Sequence, residues 1–299
     1  MSILANPQEH IWKSARDGNW ESVMESLRRD PGLITVTGDV VQGDGSIIKN
    51  VTLLHTAAGK NSHEVVRHLI DLGGDVHARN SRDMTALYYA VYDNTDSKVL
   101  ELLLEAGADA NVRDDKGWCP LHWAVRWRTT VEIVDILLEW GADIDAGSNN
   151  RVTPLNSTAG LNNLDIVRHL VLKGASIHTR DNNGCTPLHI AAMFSPSVEI
   201  LEFLISAGCN VFAQDYFGRT PLEWITAIEN PTGDDKVFIE ENETMQRGLT
   251  CLPAKRRILE EAMHIAQSRL NKSKGKLSKQ QAAARRALDK LLGNTKRGK

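Results

Sequence analysis

Residues 186–192 read TPLHIAA, and the recurrence of this heptapeptide decides the fold. A threonine hydroxyl can accept hydrogen bonds from the first free N–H groups of a helix, and a proline just after it has φ preset for the first helical position. The paired small residues Ala191 and Ala192 let a neighbouring helix approach closely. The same pattern returns as TLLHTAA from Thr52, TALYYAV from Thr85, CPLHWAV from Cys119, TPLNSTA from Thr153 and TPLEWIT from Thr220. Successive copies lie 33, 34, 34, 33 and 34 residues apart. Each of the first five is followed by an apolar run at helical spacing, as in EIVDILLEWGAD, that ends at a glycine. Gly73, Gly107, Gly141, Gly174 and Gly208 suit the left-handed position that terminates such a helix. The 34-residue spacings come from one extra residue between the two helices, in YDNTDSK, RWRTTVE and MFSPSVE.

Period, motif and glycine positions together resemble the ankyrin repeat, whose signature is T-P-L-H-x-A at a period of 33. The resemblance runs from about Thr52 to Trp224. It implies an all-α solenoid of about seven helix-turn-helix units with β-turn or hairpin fingers, followed by a basic C-terminal tail. Residues 8–270 form the expected repeat domain. Within it, 8–50 are a capping repeat with a long first finger, since IWKSARDGNWESVMESL outlines a helix pair without the motif. Residues 51–217 hold five repeats. Residues 218–270 hold the last one, with an acidic insertion over 230–250 before its second helix. Residues 271–299 read as a partly disordered tail with one short helix around 280–292.

Charge divides the chain unevenly. The 35 Lys and Arg against 38 Asp and Glu give a net charge of -3. From Lys255 to Lys299 there are 14 basic and 3 acidic residues, a net of +11, which leaves -14 on residues 1–254. Blocks of like charge are often interaction tails. Lys272, Lys274, Lys276, Lys279, Arg285 and Arg286 are accordingly the candidates for contact with nucleic acid or an anionic membrane. The alternative for this tail is a solvated segment, or one folded back on the acidic body.

Sites of chemistry find little support. HEVVRH at 63–68 comes close to the zinc-protease pattern, but the residue four after His63 is Arg67, so the two histidines do not share a helix face. Cys119, Cys185, Cys209 and Cys251 are scattered with no C-x-x-C pair. No phosphate loop or nucleophile elbow occurs. The start of the chain has no basic segment followed by an apolar one, and no apolar run approaches the roughly 20 residues that cross a bilayer. The expectation is a cytoplasmic or nuclear monomer that is not an enzyme and uses no cofactor and no metal.

GWCPLHWAVRWRTT, residues 117–130, carries three of the chain's seven tryptophans. The resemblance implies that partners bind a concave surface made by finger tips and the exposed side of each first helix. Relative to the motif's first residue, the contact positions are the one before it and the two after the small-residue pair. They select Trp118, Arg126 and Trp127 in the repeat at 119, Met84 and Tyr92 in the one at 85, and Met193 and Phe194 in the one at 186. Tyr216 and Phe217 occupy the last finger. Trp123 lies at the junction of groove and core. The competing explanation for all three tryptophans is packing between repeats. By the same resemblance, His55, His122 and His189 hold the adjacent finger by hydrogen bonds, and Tyr88, Asn156 and Glu223 put that bracing in doubt where they replace histidine.

Overall fold

Each inner helix begins where the motif begins. Thr153 and Thr220 accept hydrogen bonds from the backbone N–H three residues on, and Pro154, Pro187 and Pro221 take the first helical position. These signals recur along a computed structural model that describes residues 6–60, 63–93, 96–127, 130–230 and 251–291, with side chains described as far as Lys272.

The first pair is α1 (Pro7–Arg16) and α2 (Trp20–Arg29), capped by the side chains of Asn6 and Asn19. A single 3-10 turn (Pro31–Thr35) leads into strands β1 (Thr37–Val41) and β2 (Ile47–Thr52). Five pairs follow: α3 (Leu53–Lys60) with α4 (His63–Asp71), α5 (Ala86–Asp93) with α6 (Ser97–Glu105), α7 (Pro120–Arg126) with α8 (Val131–Glu139), α9 (Pro154–Ala159) with α10 (Leu164–Leu172), and α11 (Pro187–Phe194) with α12 (Val198–Ser206). The last is α13 (Pro221–Glu229) with α14 (Leu252–Leu291). The odd-numbered helices α1 to α13 pack in succession as an inner layer, and α4 to α14 as an outer one. One apolar core threads the stack. Ala57, Ala58, Ala124, Ala191 and Ala192 are fully buried where inner helices meet, which is why the motif needs small side chains there.

The fingers form a continuous rim. Backbone N–H groups of Ser81, Asp115, Asn149, Asn182 and Tyr216 donate to the carbonyls of Lys49, Arg82, Lys116, Asn150 and Asn183, each in the preceding finger. The first finger is an antiparallel hairpin that pairs Thr37 with Thr52 and Val41 with Ile47, with an irregularity between Gly38 and Val40. Gly38 lies against the indole of Trp12, so close that an added Cβ would fall 1.9 Å from Trp12 Cε2.

The C-terminal end departs from the expected boundary at Asn271. Helix α14 runs unbroken from Leu252 to Leu291 instead of stopping there and restarting near Gln280. Alanine, leucine, lysine, arginine and glutamine dominate 276–291, all strong helix formers, and a single Gly275 costs only about 1 kcal/mol. The helix docks by its first turns: Leu252 and Leu259 are buried, and the buried Lys255 donates from Nζ to the carbonyl of Ala192 at 3.0 Å. Burial pulls the Lys255 pKa down to about 8.

Candidate partner-binding surface

The fourth motif position sets the angle between each inner helix and the next finger. His55, His122 and His189 are fully buried. Their Nδ1 atoms accept from the backbone N–H of Thr52, Cys119 and Thr186. Their Nε2 atoms face the carbonyls of Met84, Val152 and Arg219 at 2.9, 2.8 and 3.0 Å. Each ring is therefore the neutral tautomer with its proton on Nε2, and burial lowers its pKa below 6.5. Where histidine is missing the brace is kept at two of the three positions. The Tyr88 hydroxyl lies 2.6 Å from the Val112 carbonyl and 2.7 Å from that of Trp118 and can donate its one proton to either, and Asn156 Nδ2 donates to the Cys185 carbonyl. Glu223 instead closes its own capping box with Thr220, having no further motif to brace.

Cys119 and His122 approach within 3.0 Å, but the contact is this same capping arrangement. Both are buried, desolvation raises the thiol pKa, and Nε2 is committed to Val152. The pair is a cap and not a nucleophile with its base.

On the inner face of α5 and α7 the aromatic side chains form one group. Tyr92 meets Trp123 and Trp127 edge-on, with ring centres 5.6 Å apart in both cases. Trp123 lies 6.2 Å from Trp127 and 6.4 Å from Trp118. Trp118 stacks on His122. Trp123 donates its indole N–H to Asp114 Oδ2 at 3.0 Å, and the other oxygen of Asp114 accepts from the Trp118 backbone. The guanidinium carbon of Arg126 lies 5.3 Å from the Trp118 ring and 5.5 Å from the Trp127 ring. Trp127 is 43% exposed and Tyr92 48%, while Trp118 and Trp123 are half-buried.

Two expected contact residues are not on the surface in that sense. Met84 is 7% exposed because Tyr88, Tyr89 and Trp123 are large enough to cover it. Met193 is 4% exposed and belongs to the core. It follows Ala192, whose carbonyl holds Lys255, so the last unit closes over that end of α11. Phe194 is half-buried and packs against the core, outside the aromatic group of α5 and α7. Tyr216 and Phe217 are 64% and 69% exposed on the last finger, with Phe217 edge-on to the buried Trp224. Lys272 is exposed on α14; the side chains of Lys274, Lys276, Lys279, Arg285 and Arg286 lie outside the described residues.

A cavity of 440 Å³ opens between the first finger hairpin and helices α1, α3, α5 and α7. Tyr89, Tyr92, Trp123 and Trp127 contribute its aromatic side, with Tyr88 and Met84 behind them, and Val40, Ile48 and Val51 its hairpin wall. Arg16, Lys60, Arg82 and Lys116 also line it, with Asp93 the single carboxylate among the described lining residues. These cations are absent from the sequence-based selection, although Lys60 stands at the same motif register as Trp127, eight residues past the first motif position.

A family profile for ankyrin repeats matches three times, over residues 33–114, 54–148 and 155–238. Among curated proteins, NF-kappa-B inhibitor alpha of Gallus gallus is 36% identical over 59 residues, 20% of this chain and 18% of that protein. Protein phosphatase 1 regulatory subunit 27 of Mus musculus is 43% identical over 63 residues, 21% of this chain and 40% of that protein. The aligned stretch thus spans less than half the length of either relative. Among the described residues, no helix is long and apolar enough to cross a membrane.

Proposed function

Because this chain belongs to the ankyrin repeat family, whose repeats generally mediate protein–protein interaction, we propose that it is a non-enzymatic adaptor gripping a partner protein on its concave face at Trp118, Arg126, Trp127 and Tyr92. The observation that carries this reading is the guanidinium of Arg126 poised near two indoles, one of them 43% exposed to solvent. Packing accounts for Trp123, which is half-buried and hydrogen-bonded, but leaves the exposure of Trp127 and Tyr92 without a reason. Trp, Tyr and Arg are the residue types enriched at binding hot spots. Two relatives are named as an inhibitor and a regulatory subunit of other proteins, which is in keeping with such a role. The test is affinity capture with the intact chain beside Trp118→Ala plus Trp127→Ala. The expected result is loss of the captured partner, at about 2–4 kcal/mol for each true hot spot. Unchanged capture by the double variant overturns the assignment.

A second reading concerns the basic stretch, because it lies on one continuous helix with the docked end of α14. A helix carrying Lys272, Lys274, Lys276, Lys279, Arg285 and Arg286 is suited to tethering nucleic acid or anionic membrane. Phosphate contacts release counterions, so binding through it falls steeply with salt. Nucleic-acid binding that survives deletion of 271–299 with the same salt slope removes this reading.

A further inference from the structure

We propose that the cavity between the first finger hairpin and helices α3, α5 and α7 docks an extended acidic segment of the partner protein that inserts one large apolar side chain. The proposal rests on the concave-face reading above and says what chemistry that face selects.

Three observations converge. The first is charge placement. Residues 1–254 carry a net of -14, yet the cavity is lined by Arg16, Lys60, Arg82 and Lys116 against Asp93 alone among its described lining residues. Cations gathered in a cleft of an otherwise acidic body focus the field there and draw anionic groups to it. The repeat register shows the pattern from a different side. The finger position three before each motif holds Lys49, Arg82 and Lys116 in the first three fingers, then the neutral Asn150 and Asn183. The cationic stripe ends where the cavity ends. Arg82 is fixed in place, since its guanidinium donates to the Ser46 hydroxyl at the hairpin turn, while Lys60 and Lys116 are exposed.

The second observation is the apolar floor. The half-buried Tyr89 and Trp123 and the exposed Tyr92 and Trp127 line the 440 Å³ space, with Tyr88 and Met84 buried behind them, and that volume is typical of pockets that bury a ligand group. A cationic side chain would find aromatic faces there but would face four like charges, of which Arg16 alone is ion-paired among the described residues, with Asp17 at 3.6 Å. An aliphatic or aromatic side chain flanked by carboxylates meets favourable partners at both levels.

The third is extent. The lining comes from four successive units, α1 through α7. Packed helices stand about 8–10 Å apart, so the cleft runs about 25–30 Å, the reach of about eight or nine extended residues. The main-chain ladder between fingers keeps this rim from yielding. A nucleic acid strand shares the stacking and charge chemistry, but its phosphates continue past the cleft onto a body of net -14.

The experiment selects a displayed library of random peptides, about twelve residues long, against the full chain. Selected peptides are then synthesised with a fluorescent label and titrated by anisotropy. The expected consensus has two or more Asp or Glu within three residues of one large apolar residue. Lys60→Glu plus Lys116→Glu, both at exposed positions, should weaken that peptide about tenfold, and about 0.5 M salt should weaken it comparably. A neutral or basic consensus, no enrichment at all, or an acidic peptide indifferent to the charge reversal overturns the proposal. Peptides lost on Trp118→Ala plus Trp127→Ala but indifferent to charge reversal sink the acidic-segment proposal and leave the concave-face reading standing. Peptides indifferent to both sink the two together. A labelled oligothymidine that binds as tightly as the best peptide, with the same sensitivity to Lys60→Glu plus Lys116→Glu, assigns the cleft to nucleic acid and overturns the proposal as well.

Discussion

Trp123 and Trp127 stand one helical turn apart and do different work. Trp123 spends its N–H on Asp114 and turns its ring toward Tyr88, Tyr92 and Trp118. Trp127 leaves 43% of its surface in water. Truncating a packed tryptophan costs about 3–5 kcal/mol, and removing the partner of a carboxylate adds to that. Trp123→Ala should therefore lower stability by about 3 kcal/mol or more, and Trp127→Ala by about 1 kcal/mol or less. Urea midpoints at an unchanged m-value separate the two, and equal losses would mean that Trp127 is a packing residue. Counting from the motif was enough to find the exposure of Arg126, Trp127 and Tyr92, because helical register fixes which way a side chain leaves its helix. It was not enough for Met84 and Met193, since the cover depends on bulk beyond the motif: Tyr88 of its own unit and Trp123 of the next over Met84, and the end closed by Lys255 around Met193. A repeat period carries no information about how large the neighbours are.

At the scale of elements, two devices hold the concave face in shape. One is the run of buried histidines that tie inner helices to fingers. Their folded pKa values lie below the 6.5 of the unfolded chain. Below pH 6.5 the unfolded state therefore binds protons that the folded state refuses. Stability from these groups is complete above pH 6.5 and falls as the pH drops toward the folded values, by up to about 1.4 kcal/mol per pH unit for each histidine. Asn156 makes the same finger contact without a titrating ring. His189→Asn should therefore keep the fold at pH 7 and reduce the slope of stability against pH between 6.5 and about 5. An unaltered slope, measured by urea unfolding across that range, would show that His189 does not contribute to it. The other device is the docking of the first hairpin on α1 through Gly38 and Trp12. Gly38→Ala should cost about 1–3 kcal/mol by overpacking. In a Trp12→Ala background the same change should cost far less, and a double-mutant cycle with no coupling would remove the contact from the account. The helix pairs and the caps were legible because each has a residue signature of its own. The hairpin's seat was not, since nothing in VTGDVVQGDG says that Gly38 will meet an indole 26 positions earlier.

At the scale of the whole molecule the stack behaves as a line of neighbours, because each unit packs chiefly on the next. Damage at one end should stay at that end, and this gives the basic helix a decisive test. The tail's charge was plain in the sequence, whereas its continuity with the docked helix was not: lysine and glutamine runs suit both a solvated coil and a helix, and the docked turns upstream supply the nucleus that favours helix. Among the described side chains of α14, the buried ones lie in its first part. Leu252, Lys255 and Leu259 are buried, while Ile265 and Leu270 are about half exposed. Removing 273–299 should then leave the thermal transition of the array where it is, since Leu252, Lys255 and Leu259 are all kept. Removing 251–299 takes away the cover of α12 and α13 and the cation that holds the Ala192 carbonyl. The last two units should open, read as lost amide-exchange protection across α11 to α13. Protection in α3 to α7 should persist, and with it binding at the aromatic cleft, which lies at the other end of the line. Equal destabilisation by the two deletions would place structural weight on the basic segment, and loss of protection in α3 to α7 on the longer deletion would mean that the stack melts as one unit and not from its end.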